Sequence, residues 1–377
     1  MVQIFANFPS GNIEVLDTAD PAAIRLKIRP DPVTNFLQWF FFRVTGARGQ
    51  ALAMRLDNAN DALVPGKGWQ GYRAFASYDL DHWFRVPTDY DGTHLTIRHA
   101  PERDGIYYAY FPAYTAEPLR RLVGRCQADP RCRAEVLGLT VDGEELDLLT
   151  IGQPGPGKKT IWAIGRQHPG EVQASWWMEG FLAALLDPKD PVAPGLLTKA
   201  VFHVVPNMNP DGTRRGQHRT NAGGRNLNAE WEQPSLEKSP EVFHVLARMQ
   251  RTGVSFCLDV HGDEELPFVF FARVDLNGDT PPDVLAARTR YGEALVALSP
   301  DCQPDGSYVR PHAKRNPMAF CGPQIIKRFN APAVTLELPY KDVAALPDPV
   351  EGYSIRHCKE LGRASLHALA PVLGDLR

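Results

Sequence analysis

The sequence predicts an N-terminal antiparallel β-sandwich over residues 1–115, followed over residues 116–377 by an α/β domain whose mixed, mainly parallel sheet is flanked by helices. Three observations predict it. At 377 residues the chain is long for one domain. Up to Thr115 it shows short aromatic and β-branched runs between turn signals. Beyond Val136, continuous apolar runs of buried type alternate with helical patterns.

In the first domain the strand-like runs are residues 23–28, 36–44, 72–78, 95–99 and 106–111, separated by Asn60-Asp61, Asp91-Gly92 and Asp104-Gly105. Runs at this spacing suit a small sandwich. The aromatics at 39–42 and 107–110 are read as core and domain interface, and no chemistry is assigned to this domain.

A helical piece at 116–126, with Asp129-Pro130 after it, makes the joint. Runs 136–140 and 146–151 then flank Asp142-Gly143, a hairpin signal. Buried-type strands follow at 160–164, 200–205, 256–260 and 334–338. Helical patterns lie between them at 172–186, 240–251 (Ser239 as N-cap, Pro240 in the first turn) and 282–298. In such a sheet, ligands collect beyond the carboxyl ends of the strands.

Composition narrows the function. With 44% hydrophobic and 23% charged residues the chain is an ordinary globular protein, and a net charge of −3 with scattered basic residues excludes a nucleic-acid footprint. The pairs Arg120-Arg121 and Arg214-Arg215 read as solvated surface. No apolar run spans a bilayer, and residues 1–9 lack a basic region followed by an apolar one, so neither membrane insertion nor secretion is expected. The six cysteines contain no Cys-x-x-Cys pair, which fits reduced thiols and a cytoplasmic protein.

The chemistry starts at the end of the strand at 160–164, where His168-Pro169-Gly170-Glu171 opens a helix. A histidine and a glutamate three apart at such a turn can share one space, offering imidazole nitrogen and carboxylate oxygen at the roughly 2 Å that zinc requires. His261 ends the strand at 256–260 within Asp259-Val260-His261-Gly262-Asp263 and supplies a third ligand type. A lone histidine is more often structural, but three ligand-type residues each ending a strand favour a catalytic zinc with three protein ligands. Glu337 lies inside the apolar run Thr335-Leu336-Glu337-Leu338-Pro339. It is either half of an ion pair with Lys341 or Arg328, or a general base beside metal-activated water. The polar segment after residue 205 carries Asn209-Pro210-Asp211-Gly212, Arg219-Thr220-Asn221 and Asn226-Leu227-Asn228. It either satisfies turns or brings a guanidinium to an oxyanion.

Together these motifs resemble the zinc carboxypeptidase family, and within it the cytosolic carboxypeptidase branch, in which a β-sandwich precedes the catalytic domain. The resemblance covers nearly the whole chain. It implies that His168, Glu171 and His261 hold one zinc ion and that Glu337 is general base and acid. It also implies that Arg219 polarises the scissile carbonyl and that Asn228 helps hold the terminal carboxylate of a peptide or protein substrate. The family usually follows that asparagine with an arginine that clamps the carboxylate; here the residue is Ala229. Arg225, Arg214 or Arg215 is then the nearest source of charge. Tyr308 and Tyr340 are candidates for the family's active-site tyrosine, and Lys314, Arg315, Lys327 and Arg328 for a basic pocket taking terminal glutamate. Two alternatives remain: a zinc deacylase of N-acyl amino acids, and a non-catalytic zinc-containing binding protein.

Overall fold

The computed structural model describes residues 1–272, 274, 279–303 and 316–377. Two five-stranded sheets form the first domain. One runs Gln3–Phe5 (β1), Phe41–Thr45 (β4), Ile106–Ala109 (β10), Phe75–Ser77 (β6) and Trp83–Arg85 (β7) in spatial order. The other runs Glu14–Asp17 (β2), Ile24–Lys27 (β3), Leu52–Leu56 (β5), Leu95–His99 (β9) and Thr88–Tyr90 (β8). Alternation decides which side faces inward: Leu52, Met54 and Leu56 are buried with Leu95 and Ile97 of the partner strand, and Met54 sits opposite Ile97. One pairing departs from the antiparallel expectation, since β3 runs parallel to β5. Of the run 36–44 only Phe41 onward forms the strand; before it the Leu37 carbonyl accepts from Leu63, the Trp39 indole N–H donates to the Ser10 carbonyl and the Phe40 carbonyl accepts from Tyr110. A short helix, Gly66–Trp69 (α1), completes this part.

Ala116–Gln127 (α2) leads into a seven-stranded sheet. Its strands are Cys132–Leu139 (β11), Glu145–Ile151 (β12), Lys159–Gly165 (β13), Ala200–Val205 (β14), Phe256–Asp263 (β15), Phe270–Ala272 (β16) and Ala333–Pro339 (β17). The spatial order is β11-β12-β14-β13-β15-β17-β16, with β14, β13, β15 and β17 mutually parallel and the remaining pairs antiparallel. Every residue of β14 and β15 is buried, including Asp259, His261 and Asp263 of β15. Gln173–Leu186 (α3) packs against Ile355–His367 (α9), and Gly362 makes that approach possible: a methyl there would lie 2.2 Å from the Trp177 carbonyl oxygen. Ala193–Lys199 (α4), Pro240–Thr252 (α6), Pro282–Leu298 (α7) and Cys321–Phe329 (α8) complete the helical layers.

Inside the polar segment after residue 205, where the sequence predicts a loop, lies a helix, Pro210–Arg215 (α5). The Asn209 side chain accepts from the Gly212 amide at 3.0 Å, so Asn-Pro-Asp is an N-cap, a first-turn proline and an acidic first turn in succession. The sandwich docks on this segment and on the chain after β17. Ser10 donates its amide to the Arg214 carbonyl and its hydroxyl to that of Thr213. Tyr110 stacks on Tyr340 with ring centroids 4.3 Å apart. One apolar core runs through both parts, from Val2 to Leu376. No helix among the described residues is long and apolar enough to cross a membrane.

Candidate metal centre

Three parallel strands, β13, β15 and β17, deliver the site at their carboxyl ends. His261 of β15 lies in register with Glu337 of β17, so two side chains on one face of the sheet stand side by side. The turn after β13 supplies His168 and Glu171. Arg166 begins it with φ of 60°, a conformation unusual for a residue with a side chain. Its buried guanidinium donates to the Pro169 and Tyr114 carbonyls and to Ser175 Oγ, and makes no ion pair with the described residues. Burial lowers the pKa of this cation to about 10. Gly170 is compressed against the next loop, where a methyl would lie 2.4 Å from His218 Nδ1.

The donor atoms converge. His168 Nδ1 is 2.6 Å from Glu171 Oε1, His261 Nδ1 is 2.8 Å from Glu171 Oε2, and the two ring nitrogens are 3.2 Å apart. All three residues are at most 2% exposed, and they form the one set of metal-capable side chains found among the described residues. The outer ring nitrogens bear on which inner atoms could serve as ligands. His168 Nε2 meets Asn226 Oδ1 at 2.9 Å and His261 Nε2 meets Asp259 Oδ1 at 3.1 Å. Both partners are oxygens that only accept, which favours protons on Nε2; a cation at the centre, replacing protons shared with Glu171, would then meet both Nδ1 lone pairs. Gln167 fixes Asp259 by donating to both its oxygens, at 2.8 and 2.9 Å, and accepts in turn from the Trp231 indole. Two nitrogens and a carboxylate so arranged fit zinc.

The charges follow the same logic. Burial alone would raise Glu171, but His168 and His261 hold it well below the usual carboxylate range. Burial and the nearby Arg219 lower His168 despite Glu171. In His261 burial opposes the charge, and the carboxylates of Asp259 and Glu171 outweigh it. Glu337 is pushed well above the usual range by burial, which the surrounding Glu171, Asp263 and Glu264 reinforce and His261 only partly offsets. A cation among these donors reverses that balance and favours the ionised carboxylate.

Among the described residues the Glu337 side chain makes no hydrogen bond or ion pair. The ion pair weighed from sequence is not formed: Lys341 donates to the Glu265 carbonyl, and Arg328 to Gln324 and the Glu232 carbonyl. Arg219 reaches the centre, with Nη1 3.8 Å from Glu171 Oε1. Asn228 Nδ2 lies 3.5 Å from His261 Nε2, and its oxygen accepts from the Cys321 amide. Ala229 closes a short 3₁₀ turn, Leu227–Ala229. Arg225 pairs with Glu230 at 2.7 Å, Arg214 with Asp142 and Glu144, and Arg215 with Asp142. Tyr340 is buried and donates to the Gly170 carbonyl at 2.8 Å, while Lys327 is exposed. Tyr308, Lys314 and Arg315 lie outside the described residues. Sequence reasoning did not assign Gln167, Asn226 or Asp259. Asp259 had a signal, since it precedes His261 by two and shares its strand face.

Residues 4–111 match the cytosolic carboxypeptidase N-terminal domain and residues 125–299 match zinc carboxypeptidase. A metallo-carboxypeptidase from Burkholderia cenocepacia superposes with a TM-score of 0.95 at 41% identity, covering 99% of each chain. The chain belongs to the zinc carboxypeptidase family. As a member of that family it is a hydrolase, and its sandwich-plus-α/β architecture is that of the bacterial metallocarboxypeptidases. A metallo-carboxypeptidase of Pseudomonas aeruginosa, solved with (2-guanidinoethylmercapto)succinic acid, is 40% identical over 100% of both chains, with a TM-score of 0.94. Cytosolic carboxypeptidase 2 of Xenopus tropicalis is 28% identical over 71% of this carboxypeptidase, which spans 31% of that protein's length.

Proposed function

We propose that this chain is a zinc-dependent carboxypeptidase that removes single amino acids from the C-termini of peptides or proteins, with His168, Glu171 and His261 holding one zinc ion. The observation that carries this reading is the inward-facing pair of Nδ1 atoms with Glu171 between them, beside a Glu337 that has no partner among the described residues. Zinc, when bound, supplies a Lewis acid that polarises the scissile carbonyl and makes water a nucleophile near neutral pH. Glu337 takes the proton from the attacking water and hands it to the leaving amine. Arg219 stabilises the oxyanion of the tetrahedral intermediate. Asn228 and Arg219 orient the substrate end, and Arg225 contributes charge to the same loop when its pair with Glu230 opens. Buried thiols at all six cysteines, and the cytosolic naming of relatives, support a cytoplasmic place of action.

Terminal glutamate is the narrower reading of the substrate. The ligand of the Pseudomonas relative joins two carboxylates to a guanidinium-bearing arm, so basic ends belong in the same comparison. The test is hydrolysis of a peptide panel by the zinc-loaded protein, with acidic, basic and apolar C-terminal residues, amidated ends and γ-linked glutamate branches, each run beside Glu337→Gln. Cleavage of free ends only, lost in Glu337→Gln, is expected. Indifference to amidation overturns the exopeptidase reading and favours the deacylase, for which Ala229 and the paired state of its neighbouring arginines are the supporting observations.

A further inference from the structure

A carboxylate of the sandwich domain is buried inside the loop that carries Arg219. Asp31 is 2% exposed and forms no ion pair with the described residues. Its charge is met by three successive backbone amides of the catalytic domain. His218 N–H donates to Oδ1 at 2.6 Å, and Arg219 N–H and Thr220 N–H donate to Oδ2 at 2.7 and 2.8 Å. The Thr220 hydroxyl adds a fourth bond at 3.1 Å. Consecutive amides converging on one anion form a nest, a geometry that holds only while the backbone keeps one conformation. Burying an unpaired carboxylate is costly, and charge-assisted bonds of this kind are what compensate it.

The same tripeptide also touches the metal turn. The His218 carbonyl accepts from the Gly170 amide at 2.8 Å, between His168 and Glu171. The Arg219 side chain leaves the nest toward Glu171. Ser10 and Asn12 grip the loop upstream, through the carbonyls of Thr213, Arg214 and Gly216, so the sandwich holds the segment at two points. Of these contacts, only Asp31 fixes the backbone at residue 219 itself. Reacting groups displaced by about 1 Å lose on the order of a hundredfold in rate.

We infer that Asp31 is a positioning residue for catalysis: the sandwich domain completes the active site by locking the backbone at residues 218–220 so that Arg219 points at the reacting carbonyl. The inference rests on the proposed role of Arg219. The experiment uses the full-length, zinc-loaded protein and an N-blocked dipeptide with a free C-terminus. It compares Asp31→Asn, Asp31→Ala, Arg219→Ala and the Asp31→Ala/Arg219→Ala double variant, with hydrogen exchange of the same samples. Asp31→Asn, which keeps the shape and one acceptor, is expected to lower kcat by about 10- to 100-fold with KM within about threefold. In the Arg219→Ala background, loss of Asp31 is expected to cost less than about threefold more, because the group being positioned is gone. Amides 218–220 exchange faster in both Asp31 variants, while those of β4 and β10 do not.

A kcat within twofold of wild type in Asp31→Asn, with Arg219→Ala inactive, overturns the inference and leaves the role of Arg219 standing. Full additivity in the double variant, or unchanged exchange at 218–220, also overturns it. A fully active Arg219→Ala sinks the reading beneath it and the inference together. Faster exchange across the sandwich strands as well would mark Asp31 as a general interdomain anchor and overturn the specific role.

Discussion

Replacing Asp259 by asparagine separates the metal site's shape from its electrostatics. Asp259 accepts from His261 Nε2 at 3.1 Å and takes both bonds from the Gln167 amide. Asparagine offers one oxygen and one NH₂. If its oxygen keeps His261, its NH₂ faces the Gln167 NH₂; if Gln167 turns over to accept, it abandons the Trp231 indole, now 2.8 Å from its oxygen. Either way one buried donor loses its acceptor, which costs about 1–3 kcal/mol. The loss falls on the ligand-competent state, because His261 presents its Nδ1 lone pair to the metal only while Nε2 carries the proton. Zinc affinity is therefore expected to fall about 10- to 100-fold, or roughly 1.4–2.7 kcal/mol. The assay is competition for zinc against a chromogenic chelator near neutral pH, with folding checked by circular dichroism. Affinity within twofold of wild type would refute the argument. So would an equal loss in Asp142→Asn, which removes the same charge and the pairs to Arg214 and Arg215 but touches neither histidine.

Three further outcomes follow from the same geometry. Tyr340→Phe removes the bond to the Gly170 carbonyl and is expected to cost about 1 kcal/mol of stability, read as a lower urea midpoint, with kcat within threefold; a hundredfold loss of kcat would instead make Tyr340 a catalytic tyrosine. Glu241 is fully buried, and its pKa is raised to about 7, chiefly by burial, although Asn221 donates to it. Because the folded carboxyl keeps its proton above the value at which the unfolded chain releases it, stability falls as pH rises from about 4.5 to 7. Glu241→Gln should then gain up to about 3 kcal/mol over wild type above that window and nothing below it, and equal urea midpoints at both ends would rule this out. Stripping zinc with a chelator should lower the melting temperature reversibly, since free zinc at a thousand times Kd adds about 4 kcal/mol; a melting curve indifferent to zinc would contradict a site built by the fold.

The residues that converge at the candidate centre were legible because each is tied to a local pattern. His168 and Glu171 open a helix after an apolar run, His261 ends a strand, and Glu337 interrupts one. Parallel strands bring their carboxyl ends together, so local patterns of this kind imply proximity without contact information. The α/β layers were legible for the same reason: β14 and α7 span the same residues as the sequence pattern, since β14 is an unbroken apolar run and α7 is bounded by Pro281-Pro282 and Pro300. The sandwich was read less completely. Leu52–Leu56 escaped although its burial alternates, and the three-residue strands Gln3–Phe5, Trp83–Arg85 and Thr88–Tyr90 escaped because so few residues establish no period and pairing holds them extended.

Residue types and local patterns alone pointed to a set of candidate ligands, a carboxylate beside them, and a guanidinium in the following loop. Tertiary structure decided how those groups are oriented and what engages their neighbours. Asn226 reaches His168 across 58 positions, and Glu230 occupies Arg225. Asp31 reaches Arg219 across 188 positions, from a domain to which sequence reasoning assigned no chemistry. Such contacts have no period and no motif. They arise where two separately folded surfaces meet, and the cost of leaving a buried polar group unpaired selects the partner only once that meeting has been made.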